Sequence, residues 1–299
     1  MSADFNFDAL IPAEMAQKAE GIGVKKAAMH FRPMFALAML AGAFIGVGAI
    51  FATTVSAGSI GIKDAAGAAA FATALPYGVT RLIMGLAFTL GLILVVVGGA
   101  ELFTGNNLIV MAFMDGKVTL KQLLRNWGIV YLGNLVGSIL TAAIMFFTRQ
   151  YMSGNGAIGL NALNIGEAKS SLDFIPAIAL GIMCNALVCM AVWMCYSART
   201  TTDKILAIIP PISAFVAAGF EHSVANMYFI PVALFIKNWG SPAFFETIGK
   251  TADNFPNLTW GNFFINNLLP VTIGNIIGGA VMVGAVYWFV FLREKKTAK

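Results

Sequence analysis

The chain has 299 residues, of which 59% are hydrophobic and 11% charged, with a formal net charge of +5. A soluble domain carries about 25% charged residues, so this composition excludes an ordinary water-soluble fold. The positive balance needs no nucleic-acid partner to explain it, because it follows from the loop asymmetry described below.

In chain order, residues 1–32 contain no continuous apolar stretch and carry Asp, Glu and Lys throughout, so they read neither as a signal peptide nor as a span. From Pro12 to Met29 the pattern predicts a helix with Pro in its first turn. Met15, Ala19 and Ile22 share one face, with Glu14, Lys18 and Lys25 elsewhere, as in an amphipathic segment lying on a membrane or under a pore mouth. Beyond Arg32 no charge occurs until Lys63, and the same holds from Arg125 to Arg149, Asp173 to Arg199 and Asp253 to Arg293. A spanning helix needs about 20 apolar residues, and each run supplies them. Two more runs, Leu82–Met114 and Ile205–Ile236, are long enough but hold one acid each, Glu101 and Glu221. The reading is an all-α polytopic membrane protein with six transmembrane helices. It forms a single channel domain over 1–299, comprising an N-terminal segment 1–32, a first half 33–149, a second half 170–293 and a tail 294–299.

Lys and Arg concentrate on the cytoplasmic side of membrane proteins. Six spans put both termini on one side, and that side holds thirteen of the 19 Lys and Arg residues. Both termini are therefore expected in the cytoplasm. Trp127, Trp193 with Tyr196, and Tyr287 with Trp288 fall toward cytoplasmic span ends, while Trp239 and Trp260 flank the outer loop, as interfacial belts require. Cys184, Cys189 and Cys195 all fall in the fourth span with spacing that suits neither zinc nor a disulfide. They read as small packing residues, and no metal or cofactor is expected.

The third and sixth spans share a signature, Leu132-Gly133-Asn134-Leu135-Val136-Gly137 against Ile273-Gly274-Asn275-Ile276-Ile277-Gly278. The second and fifth share another: Gly99-Ala100-Glu101 with Asn106, and Gly219-Phe220-Glu221 with Asn226. Two halves of three spans each must run in opposite senses across a membrane, the inverted repeat of many transporters. Gly133, Gly137, Gly274 and Gly278 let helices approach closely. Gly98-Gly99 with Asn106-Asn107, and Ala218-Gly219 with His222-Ser223, weaken the second and fifth spans midway. Irregular backbone at that depth survives only where protein or a watery cavity satisfies it. The paired breaks therefore mark a substrate path.

His222 is the only histidine inside a span, where ionisable groups are costly and usually functional. Glu101 and Glu221 would repel an anion if they faced a pore, so both are read as structural groups capping N–H groups at the breaks. Asn185, Asn226 and Asn275 are amides in apolar spans, either helix-bridging or steps along the path. Phe88, Leu92, Leu102, Phe103, Val188 and Phe215 surround these polar points and would form apolar constrictions enclosing a small chamber. A bare anion pays a large desolvation cost at such a ring, whereas its protonated form does not, and a histidine between two rings could supply the proton. That scheme suits a small weak acid.

These residues resemble the formate/nitrite transporter family over essentially the whole chain, and its formate channels in particular. The matching runs are Phe7-Asp8-Ala9-Leu10-Ile11-Pro12, Ala100-Glu101-Leu102-Phe103-Thr104, Asn126-Trp127 and Tyr131 to Gly137. They continue through Gly219 to Met227 and Pro270 to Gly279. The resemblance implies an aquaporin-like protomer, a homopentamer with one pore per protomer, and an N-terminal segment involved in pH-dependent opening. It places the central histidine on His222 and a partner threonine on Thr104. It places constrictions on Phe88, Leu92, Leu102, Phe103, Val188 and Phe215, pore asparagines on Asn185 and Asn275, and an outer-vestibule lysine on Lys169. Glu101 departs from the aspartate expected there but keeps the acid.

The resulting expectation is passive, bidirectional, pH-dependent movement of formate across a bacterial inner membrane. Its partners would be the anion and membrane lipid. Nitrite or hydrosulfide on the same scaffold is the near alternative, and a water or glycerol channel a more distant one. An intramembrane enzyme has neither a His-Glu-x-x-His nor a Gly-x-Ser-x-Gly motif to support it.

Overall fold

The computed structural model describes residues 9–63, 69–72 and 75–293, with the side chains of 59–63 and 69–72 outside the description. The start of the Phe7–Pro12 motif and the tail 294–299 lie outside the described residues. The helices are α1 (Pro12–Ala28), α2 (Phe31–Val55), α3 (Tyr77–Gly98), α4 (Phe103–Met114), α5 (Leu120–Phe147) and α6 (Ala157–Ser170). They continue as α7 (Phe174–Ser197), α8 (Thr201–Ala218), α9 (Ser223–Trp239), α10 (Pro242–Ile248) and α11 (Trp260–Phe291). One departure from helix among the described residues is an antiparallel hairpin joining α2 to α3. Its strands β1 (Ser59–Lys63) and β2 (Ala69–Ala72) pair Ser59 with Ala72 and Lys63 with Ala69.

Six helices are long and apolar enough to cross a membrane: α2, α3, α5, α7, α8 and α11. The glycines of the shared signature hold α5 against α2 and α11 against α7. A Cβ on Gly137 would run into the Met39 carbonyl, and one on Gly274 or Gly278 into the Ile178 or Ile182 carbonyl. Backbone contact of that closeness is open only to glycine. Outward faces remain apolar, as at Leu132, Leu140, Ile144 and Phe147 of α5, which suits lipid or a neighbouring apolar surface.

Between α3 and α4 the chain leaves the helical path at residues 99–102, and between α8 and α9 at 219–222. The first stop in each pair is a left-handed glycine: Gly99 at φ 73° and Gly219 at φ 81°. A side chain would be strained there, which is why a C-terminal glycine ends a helix so often. Ala100 N–H then closes back on Val95 O (2.9 Å) and Phe220 N–H on Phe215 O (3.0 Å). The new helices start with Leu102 and His222 as N-caps. Helix α11 carries two π-helical stretches, at Phe263–Leu268 and Ile277–Ala285, the kind of widening that often re-aims a side chain.

Helix α1 packs on protein. Met15, Ala16 and Ala19 are buried with Met111, Trp193 and Tyr196, so its apolar face covers the ends of α4 and α7. Buried Glu20 accepts a hydrogen bond from Lys117 Nζ (2.5 Å), which also lies 3.3 Å from Asp115. Burial pushes the Glu20 carboxyl above its ordinary value of 4.5, against the opposing pull of Lys117, and the bond to Glu20 raises Lys117. A carboxyl raised in the docked state binds its proton more tightly there than when undocked. Its contribution to docking is thus full below 4.5 and lost as pH rises through the raised value. Hydrogen-exchange protection over residues 12–28, taken relative to the intrinsic rate at each pH, is expected to be higher at about pH 5 than at about pH 8, and Glu20→Gln to remove the difference. Equal protection at both values in the unmodified protein would exclude this latch.

Candidate functional site

The two breaks are locked by matching sets of hydrogen bonds. At the first, Lys26 Nζ of α1 lies 2.7 Å from Glu101 Oε1, and Asn106 Nδ2 donates to Glu101 Oε2 (2.7 Å) and to Asn126 Oδ1 (3.0 Å). Asn126 Nδ2 returns to Lys26 O (3.1 Å). At the second, Lys169 Nζ of α6 lies 2.7 Å from Glu221 Oε1, and Asn226 Nδ2 donates to Glu221 Oε2 (2.6 Å) and Asn267 Oδ1 (2.7 Å). Asn267 Nδ2 returns to Lys169 O (2.9 Å). The glutamate and asparagines of each ring are buried while its lysine reaches a cavity, and a buried carboxylate is tolerated when its oxygens are filled in this way.

The irregular backbone is satisfied by the signature asparagines of α5 and α11. Asn134 Nδ2 donates to Ala38 O (2.8 Å) and Glu101 O (2.9 Å), while its Oδ1 accepts the Phe103 N–H (2.9 Å). Asn275 Nδ2 donates to Gly181 O (2.8 Å) and Glu221 O (2.9 Å), while its Oδ1 accepts the Ser223 N–H (2.9 Å). The main-chain N–H of Glu101 reaches Leu37 O, and that of Glu221 reaches Leu180 O. Glu101 and Glu221 are therefore not the caps expected of them. Their carboxylates bind lysine and asparagine side chains, and the amides of Asn134 and Asn275 serve the exposed N–H groups.

Two cavities approach the breaks from opposite sides. One, of about 390 Å³, is walled by α1 through Lys18, Ile22 and Lys26, and floored by Leu92 and Leu102. The other, of about 220 Å³, is walled by α6 through Ile165 and Lys169, and reaches Phe88, Phe215 and His222. Helix α3 gives its last turns to the first cavity and its first turns to the second, whereas α8 does the reverse with Lys204 and Phe215. The equivalent helices of the two halves thus run in opposite directions. Phe88 and Leu92 are one turn apart on α3 yet line different cavities, so the closed stretch between them is only about 6 Å long.

At the α6-side end of that stretch stands His222, bordering the cavity, with Thr104 beyond it; both are buried. His222 Nε2 is 3.0 Å from Thr104 Oγ1, and His222 Nδ1 accepts the Ala225 N–H at 3.0 Å as the cap of α9. With Nδ1 accepting, the proton of a neutral ring sits on Nε2, where it serves as a donor. A second proton would have to go to Nδ1 and release the first turn of α9. Phe215 stacks on the imidazole with centroids 5.9 Å apart and meets Phe88 edge-on at 5.7 Å.

A profile of the formate/nitrite transporter family matches residues 13–289. The chain belongs to the formate/nitrite transporter family. The protein named formate channel FocA in Escherichia coli is 46% identical over 294 residues, covering 98% of this chain and 99% of that one. A solved structure described as a pentameric formate channel with formate bound superposes with a TM-score of 0.80 at 47% identity, covering 88% of this chain and 98% of the other. A second, described as an FNT family ion channel, gives 0.71 at 28% identity over 92% and 98%.

Within this transporter-family scaffold the expected site residues take different places. Phe88, Phe215 and His222 border the α6-side cavity, and Leu92 and Leu102 the α1-side cavity. Phe103 borders neither cavity, and its ring lies edge-on to Tyr131 at 5.0 Å and Trp127 at 6.1 Å. Val188 is buried and borders neither cavity. Asn185 and Asn275, the asparagines expected along the pore, border neither cavity. Asn275 is used up at the break, and Asn185 Nδ2 ties α7 to Asn107 Oδ1 (2.9 Å), Asn275 O (2.7 Å) and Thr104 O (3.3 Å). Both are buried, and their amides tie neighbouring helices together. Cys189 does more than pack, since its Sγ also donates to Thr104 O (3.3 Å). Lys26 and Asn267 were missed as site residues. The signal was available for both, because Lys26 and Lys169 each precede a half by a few residues and Asn126 and Asn267 occupy matching places in the third and sixth spans.

Proposed function

We propose that this chain is a passive, bidirectional, pH-dependent channel for formate in the inner membrane of a bacterial cell. The α1 side and both termini face the cytoplasm, and five copies assemble with one pore each. The observation that carries the reading is the buried His222–Thr104 pair, set in about 6 Å of apolar closure between two open cavities. A carboxylate shed of water at Phe88 and Phe215 meets a hydrogen-bond donor within one turn, so the dry passage is short. A neutral solute would need no such donor. Loading a second proton on the ring requires Nδ1 to release Ala225, which couples proton exchange to the first turn of α9. The formate named in the full-length relative and in the pentameric structure supports the choice of anion.

The test is a side-by-side flux measurement in proteoliposomes with formate, nitrite, lactate and hydrosulfide. Formate is expected to pass fastest, with flux that depends on pH. Faster nitrite or hydrosulfide would reassign the substrate, and passage of glycerol but of none of these anions would overturn the reading.

A further inference from the structure

Lys169 is the cation that the family resemblance places in the α6-side vestibule, but its charge is already matched by Glu221 at 2.7 Å. A second cation borders the same cavity: Arg81, in the second turn of α3. Its Nε donates to Ala217 O (3.1 Å), its Nη2 donates to Val216 O, and its Nη1 meets Met84 Sδ at 3.8 Å. All three acceptors are uncharged. Among the described residues no carboxylate forms an ion pair with Arg81. A Cβ added to Gly219 would lie 3.3 Å from its Nη2, so the guanidinium stands against the second break itself. The first break has no such neighbour, since a Cβ on Gly99 meets nothing within 4 Å.

We propose that Arg81 is the anion-gathering residue of the α6-side vestibule, drawing a small carboxylate toward His222 while its fork holds the last carbonyls of α8. The carbonyl end of a helix carries partial negative charge, so a cation seated there is stabilised without being neutralised. A guanidinium has five N–H donors. Two of Arg81's serve the carbonyls and a third turns to a thioether, a weak acceptor. What remains is a full positive charge with spare donors on the wall of a low-dielectric cavity, the arrangement that raises local anion concentration and on-rate. Lys169 serves instead as the counter-ion of Glu221 inside the wall.

The inference rests on the anion-channel reading, and one experiment separates the two. Formate flux is measured in proteoliposomes of the full chain at about 0.01 M and about 1 M of an impermeant salt, where charges are screened beyond about 30 Å and about 3 Å respectively. Arg81→Gln is expected to lower flux about tenfold at low salt and less than about twofold at high salt. Arg81→Lys keeps the charge and should keep the steep salt dependence of the unmodified chain, whatever its amplitude. Equal losses at both salt concentrations in both variants would reduce Arg81 to a helix cap and overturn the proposal, as would an unaffected Arg81→Gln. No formate flux in the unmodified chain would overturn the channel reading instead.

Discussion

Replacing His222 with Asn is expected to lower formate flux at neutral pH by about 10- to 100-fold and to change its pH profile, with little change in thermal stability. Asn is among the best N-cap residues, so it can replace Nδ1 in accepting the Ala225 N–H and keep α9 in place. What it loses is the Nε2–H that meets Thr104 Oγ1 at 3.0 Å. A hydrogen bond to an ion contributes about 1.5–3 kcal/mol, which sets that range. Thr104→Val removes the other partner while the ring donor stays, so its effect should be smaller and in the same direction. Proteoliposome efflux followed across pH gives both readings. Unchanged flux together with an unchanged profile in His222→Asn would remove the histidine from the path.

Lys169→Met should destabilise the protein by about 3–5 kcal/mol, because it leaves the buried Glu221 carboxylate without its counter-ion. The double variant Lys169→Met with Glu221→Gln should recover most of that loss. A neutral amide oxygen can still accept from Asn226 Nδ2, which now lies 2.6 Å from Glu221 Oε2, and no charge is stranded. Thermal unfolding of the detergent-solubilised protein distinguishes this from a lysine that merely gathers anions. In that case Lys169→Met would be as stable as the parent, and the double variant would gain nothing over the single one.

The span count and the places of both breaks were legible because a membrane interior excludes charge, so Glu101 and Glu221 stand out against long uncharged runs. Gly99 and Gly219 could be read for the same local reason, since a helix end is written within a few residues. The partners of those groups were not legible. Glu101 binds Lys26, 75 residues away, and Asn275 binds the backbone of Glu221, 54 residues away. No local pattern encodes such distances. Electrostatic reasoning on single residues therefore gave the carboxylates a capping role that amides fill, and it did not foresee that Lys169 is paired with Glu221. Phe103 shows the complementary limit. Its apolar character fits a constriction and an aromatic cluster equally well, and only the rotation of α4 about its axis brings its ring against Tyr131 and Trp127.

The lysine at the end of α1 and the lysine at the end of α6 change what counts as one copy of the repeat. Each half is a lead helix followed by three spans, and the lead helix brings the counter-ion for its own half's glutamate. Two separate chains of this four-element kind, paired head to tail, would already contain both locks without any new polar group. A chain trimmed before Phe31 would strand Glu101 in the wall, so loss of the first helix would damage the scaffold that shapes the pore.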